Sequence, residues 1–333
     1  MARVGIIANP ASGKDIRRLV AHASVFDNNE KVSIVRRILL GLDSVGVEEA
    51  LIMPDYFGIG WKAIDGLGGY GKLCIQASIL EMMMSGSQED STKAATLMVK
   101  AGVGCIVTIG GDGTNRVVAK GCGDTPILPV STGTNNVVPY MIEGTVAGVA
   151  AGIVARGLAS RVRATTPTKR LIITKDRTDI DMALVDAVVS EDLFVGARAL
   201  WDISRVREVV VTRGEPDNIG MSAIIGSFHP IQVEDDAGMW LELGEGGFTV
   251  RATISPGLIT EIPVKAYKTI KVGEKVPIAR EPSTIALDGE REITVHKGDS
   301  LCAELRRDGP LLVDVKRTLA EAVKTGSFRV SSR

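Results

Sequence analysis

Short apolar segments alternate with helix-forming segments through the first half of the chain. The apolar segments have the length of buried strands and lie at 3–10, 48–54, 104–109 and 127–130. The segments with helical spacing of apolar residues lie at 15–24, 32–42, 91–102 and 145–157. A Gly-rich stretch at 58–72 interrupts the pattern and predicts a surface loop with a turn or two of helix. Strands that alternate with helices in this way predict βαβ units and a mainly parallel sheet.

The pattern changes after about Gly157. Short strand-like segments follow one another, separated by turn sequences such as SPG, LGEGG and LDGE. This spacing predicts a β-rich second domain, a sandwich, over 158–310. The last segment, PLLVDVKRTLAEAVKTG, has the pattern of a strand and a helix. We therefore predict an α/β domain over 1–157 and expect residues 311–333 to return to it.

One glycine-rich junction lies between a predicted strand and a predicted helix: Gly110-Gly111-Asp112-Gly113-Thr114. Glycines allow positive φ and let backbone N–H groups approach a phosphate without a Cβ in the way. Thr114 can cap the helix, whose amino end attracts anions. Asp112 would repel a phosphate unless it binds a metal or accepts a proton. The alternative is an ordinary turn in which Asp112 caps the helix locally.

Two more polar junctions follow predicted strands. Asn9-Pro10-Ala11-Ser12-Gly13-Lys14 comes after the first strand, and Ser131-Thr132-Gly133-Thr134-Asn135-Asn136 comes after the strand at 127–130. Each of them alone is typical of an ordinary turn. Since open α/β sheets bind ligands at the carboxyl ends of their strands, the three junctions together favour a nucleotide phosphate site.

The motif GGDGT, with N-P-x-S-G upstream and P-x-S-T-G-T-N downstream, resembles the superfamily of NAD kinases, diacylglycerol kinases and sphingosine kinases. Asp288-Gly289-Glu290 resembles the D-G-E element of its lipid-kinase branch. The stretch ILPVSTGTNNVVPYMIEGTVAGVAAG resembles more closely the acetoin-catabolism protein X group, which is classed with ATP–NAD kinases. These motifs lie between residues 9 and 290 and so cover most of the chain. The resemblance implies an α/β nucleotide-binding domain, a β-sandwich acceptor-binding domain and an active site in the cleft between them.

The resemblance also implies roles for single residues. In the NAD kinase branch the aspartate that matches Asp112 is catalytic, whereas in the lipid-kinase branch the glutamate that matches Glu290 is the base that takes the acceptor hydroxyl's proton. Asp288 would help to hold magnesium, directly or through water. The residues implied to bind the ATP phosphates are Asn9, Ser12, Gly110, Gly111, Gly113, Thr114, Thr132, Gly133, Thr134 and Asn135. Without the resemblance, Asp288-Gly289 is typical of a hairpin turn.

Two departures from the family patterns bear on the acceptor. Where this chain has Asn135-Asn136, lipid kinases carry Asn-Asp, and NAD kinases carry Asn-Glu in a related element. NAD kinases also carry an Arg-Pro pair after a P-x-x-L segment, and this chain has no such arginine in the stretch that follows Pro256. We expect a kinase that uses ATP and Mg²⁺ to phosphorylate a hydroxyl of a soluble acceptor, with NAD the leading candidate. The alternatives are a lipid kinase and a non-catalytic, nucleotide-binding regulatory protein linked to acetoin catabolism.

The composition bears on partners and location. Lys and Arg total 39 against 40 Asp and Glu, and aromatic residues make up 4%, which argues against a nucleic-acid binder. The first residues lack the pattern of a signal peptide, and the longest small-apolar run, 146–155, is about half a membrane span. The four cysteines form no C-x-x-C pair, which fits reduced thiols. We expect a cytoplasmic homo-oligomer without stable membrane association, whose partner is a small-molecule acceptor.

Overall fold

The computed structural model describes residues 1–13, 22, 26–68, 73–133, 135–192, 203–278 and 281–329. Within them the chain forms an α/β part built on a mainly parallel sheet and a β-rich part built on two antiparallel sheets. The fold class expected from the sequence is therefore confirmed. The helix predicted at 15–24 lies outside the described residues except for His22.

Seven strands form the first sheet, in which the five strands of the amino-terminal half run parallel. In spatial order the seven are β3 (Gln76–Ile79), β2 (Glu49–Ile52), β1 (Arg3–Ala8), β4 (Cys105–Gly110), β5 (Ile127–Ser131), β17 (Leu311–Val313) and β6 (Thr165–Pro167). β17 pairs in parallel with β5 and antiparallel with β6. The last strand of the chain therefore extends the sheet that the amino-terminal half begins.

Helices cover both faces of this sheet, and a separate apolar core lies between the sheet and the helices on each face. They are α1 (Asn28–Ser44), α2 (Ile59–Asp65), α3 (Glu89–Lys100), α4 (Asp112–Ala119), α5 (Gly144–Ala155), α6 (Arg161–Ala164) and α8 (Val315–Lys324). α1 and α5 pack closely because Gly148 lacks a side chain, whose Cβ would overlap the carbonyl oxygen of Ile38. α2 occupies part of the stretch predicted as a surface loop with a turn or two of helix. None of the helices formed by the described residues is long and apolar enough to span a membrane.

The second part of the chain contains two antiparallel sheets. The larger has the strand order β12 (Leu258–Lys271), β11 (Ala237–Ser255), β10 (Val206–Val211), β9 (Asp186–Ser190), β14 (Ser283–Leu287) and β15 (Glu290–Val295). The smaller has the order β13 (Lys275–Ile278), β16 (Leu301–Arg306), β7 (Arg170–Lys175) and β8 (Thr178–Ala183). Buried side chains of both sheets, such as Leu171 and Ile285, form one core, so the two sheets make a sandwich. α7 (Ser222–Gly226) packs on the other face of the larger sheet.

The β11–β12 hairpin is longer than the sequence predicts. LGEGG, taken from the sequence as a turn, lies within β11, which runs from Ala237 to Ser255 without reversing. Gly244 and Gly246 have φ values of 145° and 105°, and the register against β12 shifts at this place. The glycines form a local irregularity within one strand, as in a β-bulge, so the predicted turn is wrong.

Candidate functional site

Polar residues from four chain segments meet in one cleft. Three of the segments follow β1, β4 and β5 at the carboxyl edge of the parallel sheet, and the fourth is the turn between β14 and β15 in the sandwich. The cavity between them has a volume of about 100 Å³. The predicted residues that line it are Asn9, Ser12, Gly111, Asp112, Gly113, Thr114, Gly133, Asn135, Asp288 and Glu290.

The GGDGT segment leads from the end of β4 directly into α4. Gly111 immediately precedes the helix, so backbone N–H groups of the first turn, which have no partner within the helix itself, lie at the cleft. Thr114 packs against Gly110, where a Cβ would overlap its side chain. Asn9 Nδ2 donates a 2.9 Å hydrogen bond to Thr114 Oγ1 and so fixes the segment after β1 against the helix. A helix amino end that borders a cleft and carries glycines is suited to binding phosphate.

A buried lysine holds the segment after β1. Lys31, on α1, has no exposed area. Its Nζ donates hydrogen bonds to the carbonyl oxygens of Asn9 and Ser12 at 2.8 and 2.7 Å, and to Asn28 Oδ1 at 3.0 Å. Ser12 Oγ lies 2.9 Å from Thr132 Oγ1, which joins this segment to the one after β5. Lys31 therefore fixes two predicted phosphate-binding residues and brings a positive charge close to the cleft.

The Asn136 amide bridges the two segments that follow β4 and β5. Its Nδ2 donates to Ser131 Oγ at 2.8 Å. The amide also lies against Gly111 and Gly133, and a Cβ on Gly111 would come within 2.9 Å of Asn136 Oδ1. Two glycines predicted to bind phosphate are thus also the positions where this amide needs room.

Asn135 joins the segment after β5 to the sandwich. Its Nδ2 donates to the Ile254 carbonyl oxygen and to Ser255 Oγ at 2.9 and 3.0 Å. These bonds connect the parallel sheet to the end of β11 across the cleft. Thr134, which was predicted to bind phosphate, lies outside the described residues.

The Asp112 carboxylate, at the start of α4, binds the segment that follows β5. Oδ1 accepts hydrogen bonds from the backbone N–H groups of Val137 and Val138 at 3.2 and 2.8 Å, and Oδ2 accepts one from Val137 at 2.9 Å. Asp112 is 7% exposed. Both of its carboxylate oxygens therefore already accept backbone hydrogen bonds, although the residue lines the cleft.

Asp288 is enclosed in a similar way by the sandwich. Its carboxylate accepts hydrogen bonds from the backbone N–H groups of residues 184–186 at 2.8 to 3.2 Å, and its side chain has no exposed area. Burial raises the pKa of Asp288 to about 7; the Arg116 guanidinium opposes this rise, and the Asp112 carboxylate adds to it.

These contacts bear on the magnesium role predicted for Asp288. Direct coordination needs a carboxylate oxygen that faces the ion, whereas both oxygens of Asp288 face backbone N–H groups. Within the described ranges, no group of three or more His, Cys, Asp or Glu side chains could hold a metal ion. Direct coordination by Asp288 does not fit this geometry, which leaves the prediction of contact through water.

Glu290 is the first residue of β15 and follows the turn directly. Asp288 and Gly289 have φ values of 50° and 82°, so the D-G pair forms a tight turn as its sequence predicts. The turn aims the partly buried Glu290 side chain at the GGDGT segment. Oε1 lies 3.2 Å from the position that a Cβ would take if Gly113 had a side chain, which we call the Cβ position of Gly113. A carboxylate from the sandwich thus reaches the GGDGT segment at residues 110–114, which we call the glycine loop.

A wider cavity of about 610 Å³ adjoins the cleft. The two share Asn9, Ala11, Gly113, Thr114 and Glu290. The outer wall of the wider cavity consists of residues 53–56 after β2 and residues that precede and begin α3. Small-molecule sites are usually about 300–1,000 Å³, so this space is large enough for a nucleoside next to the glycine loop.

Comparisons with known proteins agree with the order of the two domains. The sequence profile of the ATP-NAD kinase N-terminal domain matches residues 4–158, and that of the Acetoin catabolism protein X C-terminal domain matches residues 169–308. Acetoin catabolism protein X of Cupriavidus necator is 38% identical over 329 residues, which cover 96% of this chain and 92% of that protein. This chain belongs to the acetoin catabolism protein X family. The predicted resemblance is confirmed, and the match of the first half to ATP-NAD kinases supports a kinase-like function.

Solved structures with a similar fold include two of a candidate diacylglycerol kinase from Bacillus anthracis, each 12% identical in sequence. Their TM-scores are 0.43 and 0.40, over 94% of this chain and 97% and 98% of those chains. Similarity at this level carries no functional information.

The structure adds two charged residues that the sequence does not single out. Lys31 and Arg116 both have no exposed area, and each lies within a helix beside the cleft. A charged residue in a helical pattern is ordinarily on the solvent face, so nothing in the spacing marks these two as buried. Only the partners that the fold brings to them identify their roles.

Proposed function

We propose that this chain is an ATP-dependent kinase of the cytoplasm that transfers a phosphoryl group to a hydroxyl of a soluble small molecule. The observation that carries the proposal is the position of Glu290, whose Oε1 lies 3.2 Å from the Cβ position of Gly113. It sets a carboxylate of the sandwich against the glycine loop. The ATP-NAD kinase profile over residues 4–158 supports the same class of reaction.

The ATP phosphates would bind at the amino end of α4. Backbone N–H groups of residues 111–114 offer donors there, and the glycines let phosphate oxygens come close. Lys31 lies behind the segment after β1 and adds a positive charge. The nucleoside would occupy the adjoining cavity, since both cavities share Asn9 and Thr114.

Glu290 would act as the general base. As the acceptor oxygen forms its bond to the γ-phosphorus, its proton passes to Glu290, and the bond to the bridging oxygen breaks with its electron pair leaving on ADP. Base assistance contributes about 10²–10⁴-fold, and positioning with charge neutralisation contributes the rest. Asp112 and Asp288, whose oxygens accept backbone hydrogen bonds, would hold the loops that shape the cleft.

Magnesium fits this site as an ion that arrives with ATP. Mg²⁺ usually keeps several waters and is bound by one or two carboxylates together with substrate phosphates. Asp112 lines the cleft, but both of its oxygens already accept backbone hydrogen bonds, so Asp112 and Asp288 would hold the ion through its waters and by charge. When bound, the ion neutralises charge on the phosphate oxygens.

NAD is the acceptor to test first, because the first half of the chain matches ATP-NAD kinases. The name of the Cupriavidus necator relative links that protein to acetoin catabolism, and we extend this link to the present chain as part of the proposal. We further propose a homo-oligomer that binds no nucleic acid and does not associate stably with membranes.

A lipid kinase is the second candidate. The observation in its favour is that Glu290, which reaches the glycine loop, belongs to the D-G-E element that resembles the lipid-kinase branch. The two candidates share the proposed base and differ only in the acceptor.

The experiment offers labelled ATP and Mg²⁺ to the purified protein with NAD, with a panel of small alcohols, or with diacylglycerol vesicles. Transfer to NAD or an alcohol that is lost in Glu290→Gln and kept in Glu261→Gln supports the proposal. Glu261 is a matched control because it pairs with Arg251 on the exposed hairpin. Transfer to vesicle lipid alone would replace it with the second candidate. ATP binding by calorimetry without transfer to any acceptor would overturn the enzymatic proposal in favour of a regulatory role.

A further inference from the structure

Arg116 joins the helix that begins at GGDGT to three carboxylates of the sandwich. It lies on α4 and has no exposed area. Its guanidinium contacts Glu292 Oε1 at 2.8 Å and Asp181 Oδ1 at 3.2 Å, and its Nε lies 3.9 Å from Asp288 Oδ2. A buried guanidinium is costly to desolvate unless its partners are well arranged, so a contact of this kind is weak evidence for stability and stronger evidence for a defined geometry.

Two neighbouring side chains complete what we call the Arg116 cluster, which consists of Gln88, Arg116, Lys120, Asp181, Asp288 and Glu292. Lys120 Nζ lies 2.6 Å from Asp181 Oδ1. Gln88 Nε2 donates to the two Glu292 oxygens at 3.3 and 3.2 Å. All the donors in the cluster come from the α/β part, and all the carboxylates come from the sandwich. The cluster is therefore a polar joint between the two parts.

The joint lies directly beside the proposed base. Gly113 and Arg116 are three residues apart on α4 and so share one face of the helix. Glu290 lies against Gly113, and Glu292, two residues further along β15, is bound by Arg116. The register between β14 and β15 shifts at Glu292, as in a β-bulge, which re-aims a side chain relative to a regular strand. The start of β15 thus lies along α4, and the ion pair between Glu292 and Arg116 attaches the strand to the helix.

We propose that Arg116 is a positioning residue for the phosphoryl transfer, which holds Glu290 at the glycine loop through its bond to Glu292. The inference rests on the proposed function. Arginine is suited to this role because its planar fork binds two carboxylates in fixed directions, which a lysine ammonium does not. Small displacements of a reacting group cost rate steeply, by roughly 10²-fold for about 1 Å.

The variant that tests the proposal most cleanly is Glu292→Gln, because glutamine keeps the shape of the side chain and removes the ion pair with Arg116. We expect its kcat to fall by about 10–10²-fold. We expect the calorimetric Kd for ATP to change less than about twofold, because neither Arg116 nor Glu292 lines the phosphate cleft. The matched control is Glu261→Gln, which removes an ion pair at an exposed place.

A second set of variants addresses the arginine itself. Arg116→Lys should recover part of the kcat that Arg116→Gln loses, since it keeps the charge without the fork. Combining Arg116→Gln with Glu292→Gln should cost little more than Arg116→Gln alone, because both changes break the same contact. Additive losses, or a Glu292→Gln enzyme with wild-type kcat, would overturn the proposal. So would a loss of ATP affinity at unchanged kcat.

Amide hydrogen exchange tests the contact between Arg116 and β15 without relying on kinase activity. In Glu292→Gln, the amides of residues 287–295 should exchange faster than in wild type, and Glu261→Gln should leave them unchanged. If the wild type transfers no phosphate, the kinase proposal fails, while the exchange rates still decide whether Arg116 holds β15. Unchanged exchange in Glu292→Gln would overturn the joint even in an active enzyme.

Discussion

Replacing Asp112 by Asn tests whether this residue holds the cleft together or takes part in the chemistry directly. The carboxylate accepts three hydrogen bonds from the backbone N–H groups of Val137 and Val138. Asparagine keeps one of the two oxygens, so it can still accept the 2.8 Å bond from Val138. Its NH₂ group would then face the Val137 N–H, and the 2.9 Å bond to that group would be lost.

The expected cost follows from these contacts. A hydrogen bond to a charged group contributes about 1.5–3 kcal/mol. Removing the charge of Asp112 also relieves its repulsion of Asp288, which acts in the opposite direction. We therefore expect the free energy of unfolding to fall by about 1–3 kcal/mol. Glu290→Gln keeps the size and shape of the side chain, so we expect it to fold while turnover falls about 10²–10⁴-fold.

The assay is urea unfolding followed by circular dichroism, run on the wild type and both variants together with turnover. The account predicts that Asp112→Asn is less stable than the wild type and that Glu290→Gln still unfolds cooperatively but has lost turnover. An Asp112→Asn protein as stable as the wild type would refute the role of Asp112 in holding residues 137–138. Full turnover in Glu290→Gln would refute the assignment of the base.

Three further changes test other contacts. Gly148→Ala should lower the free energy of unfolding by about 1–3 kcal/mol, because the new Cβ meets the Ile38 carbonyl; urea unfolding measures it, and unchanged stability would contradict the close packing of α1 and α5. Lys31→Met should weaken ATP binding by about tenfold or more in calorimetry, whereas Lys265→Met on the exposed hairpin should not. The pKa of Asp288 is raised from 3.8 to about 7, so its contribution to stability falls as the pH rises between those values. Wild type should therefore lose stability relative to Asp288→Asn between about pH 4 and pH 7. If urea unfolding gives the same difference in free energy of unfolding between the two proteins at pH 4 and at pH 7, the prediction is wrong.

The parallel sheet could be predicted because its central strands are buried on both faces. Every residue of β4 is buried, and apart from Thr108 the strand is a run of apolar residues followed by a glycine turn. The junctions after β1, β4 and β5 could be expected to meet because parallel strands place their carboxyl ends at one edge. β3 was not predicted, since this four-residue edge strand is not fully buried and lacks such a run.

Other parts of the site depend on contacts that no local pattern contains. LGEGG has the composition of a turn, and only the pairing of β11 with β12 shows that the strand continues through it. Lys31 and Arg116 are buried by partners distant in sequence, such as Glu292 for Arg116. The orientation of the Asp288 carboxylate is likewise set by backbone N–H groups of residues 184–186, more than a hundred positions away.

The measurement that tests the central claim most directly is the formation of NADP from ATP, Mg²⁺ and NAD, followed with an NADP-specific dehydrogenase. The account predicts NADP formation by the wild type and by Glu261→Gln, and a loss of about 10²-fold or more in Glu290→Gln. Wild-type protein that binds ATP in calorimetry and phosphorylates neither NAD nor any alcohol or lipid offered would contradict it.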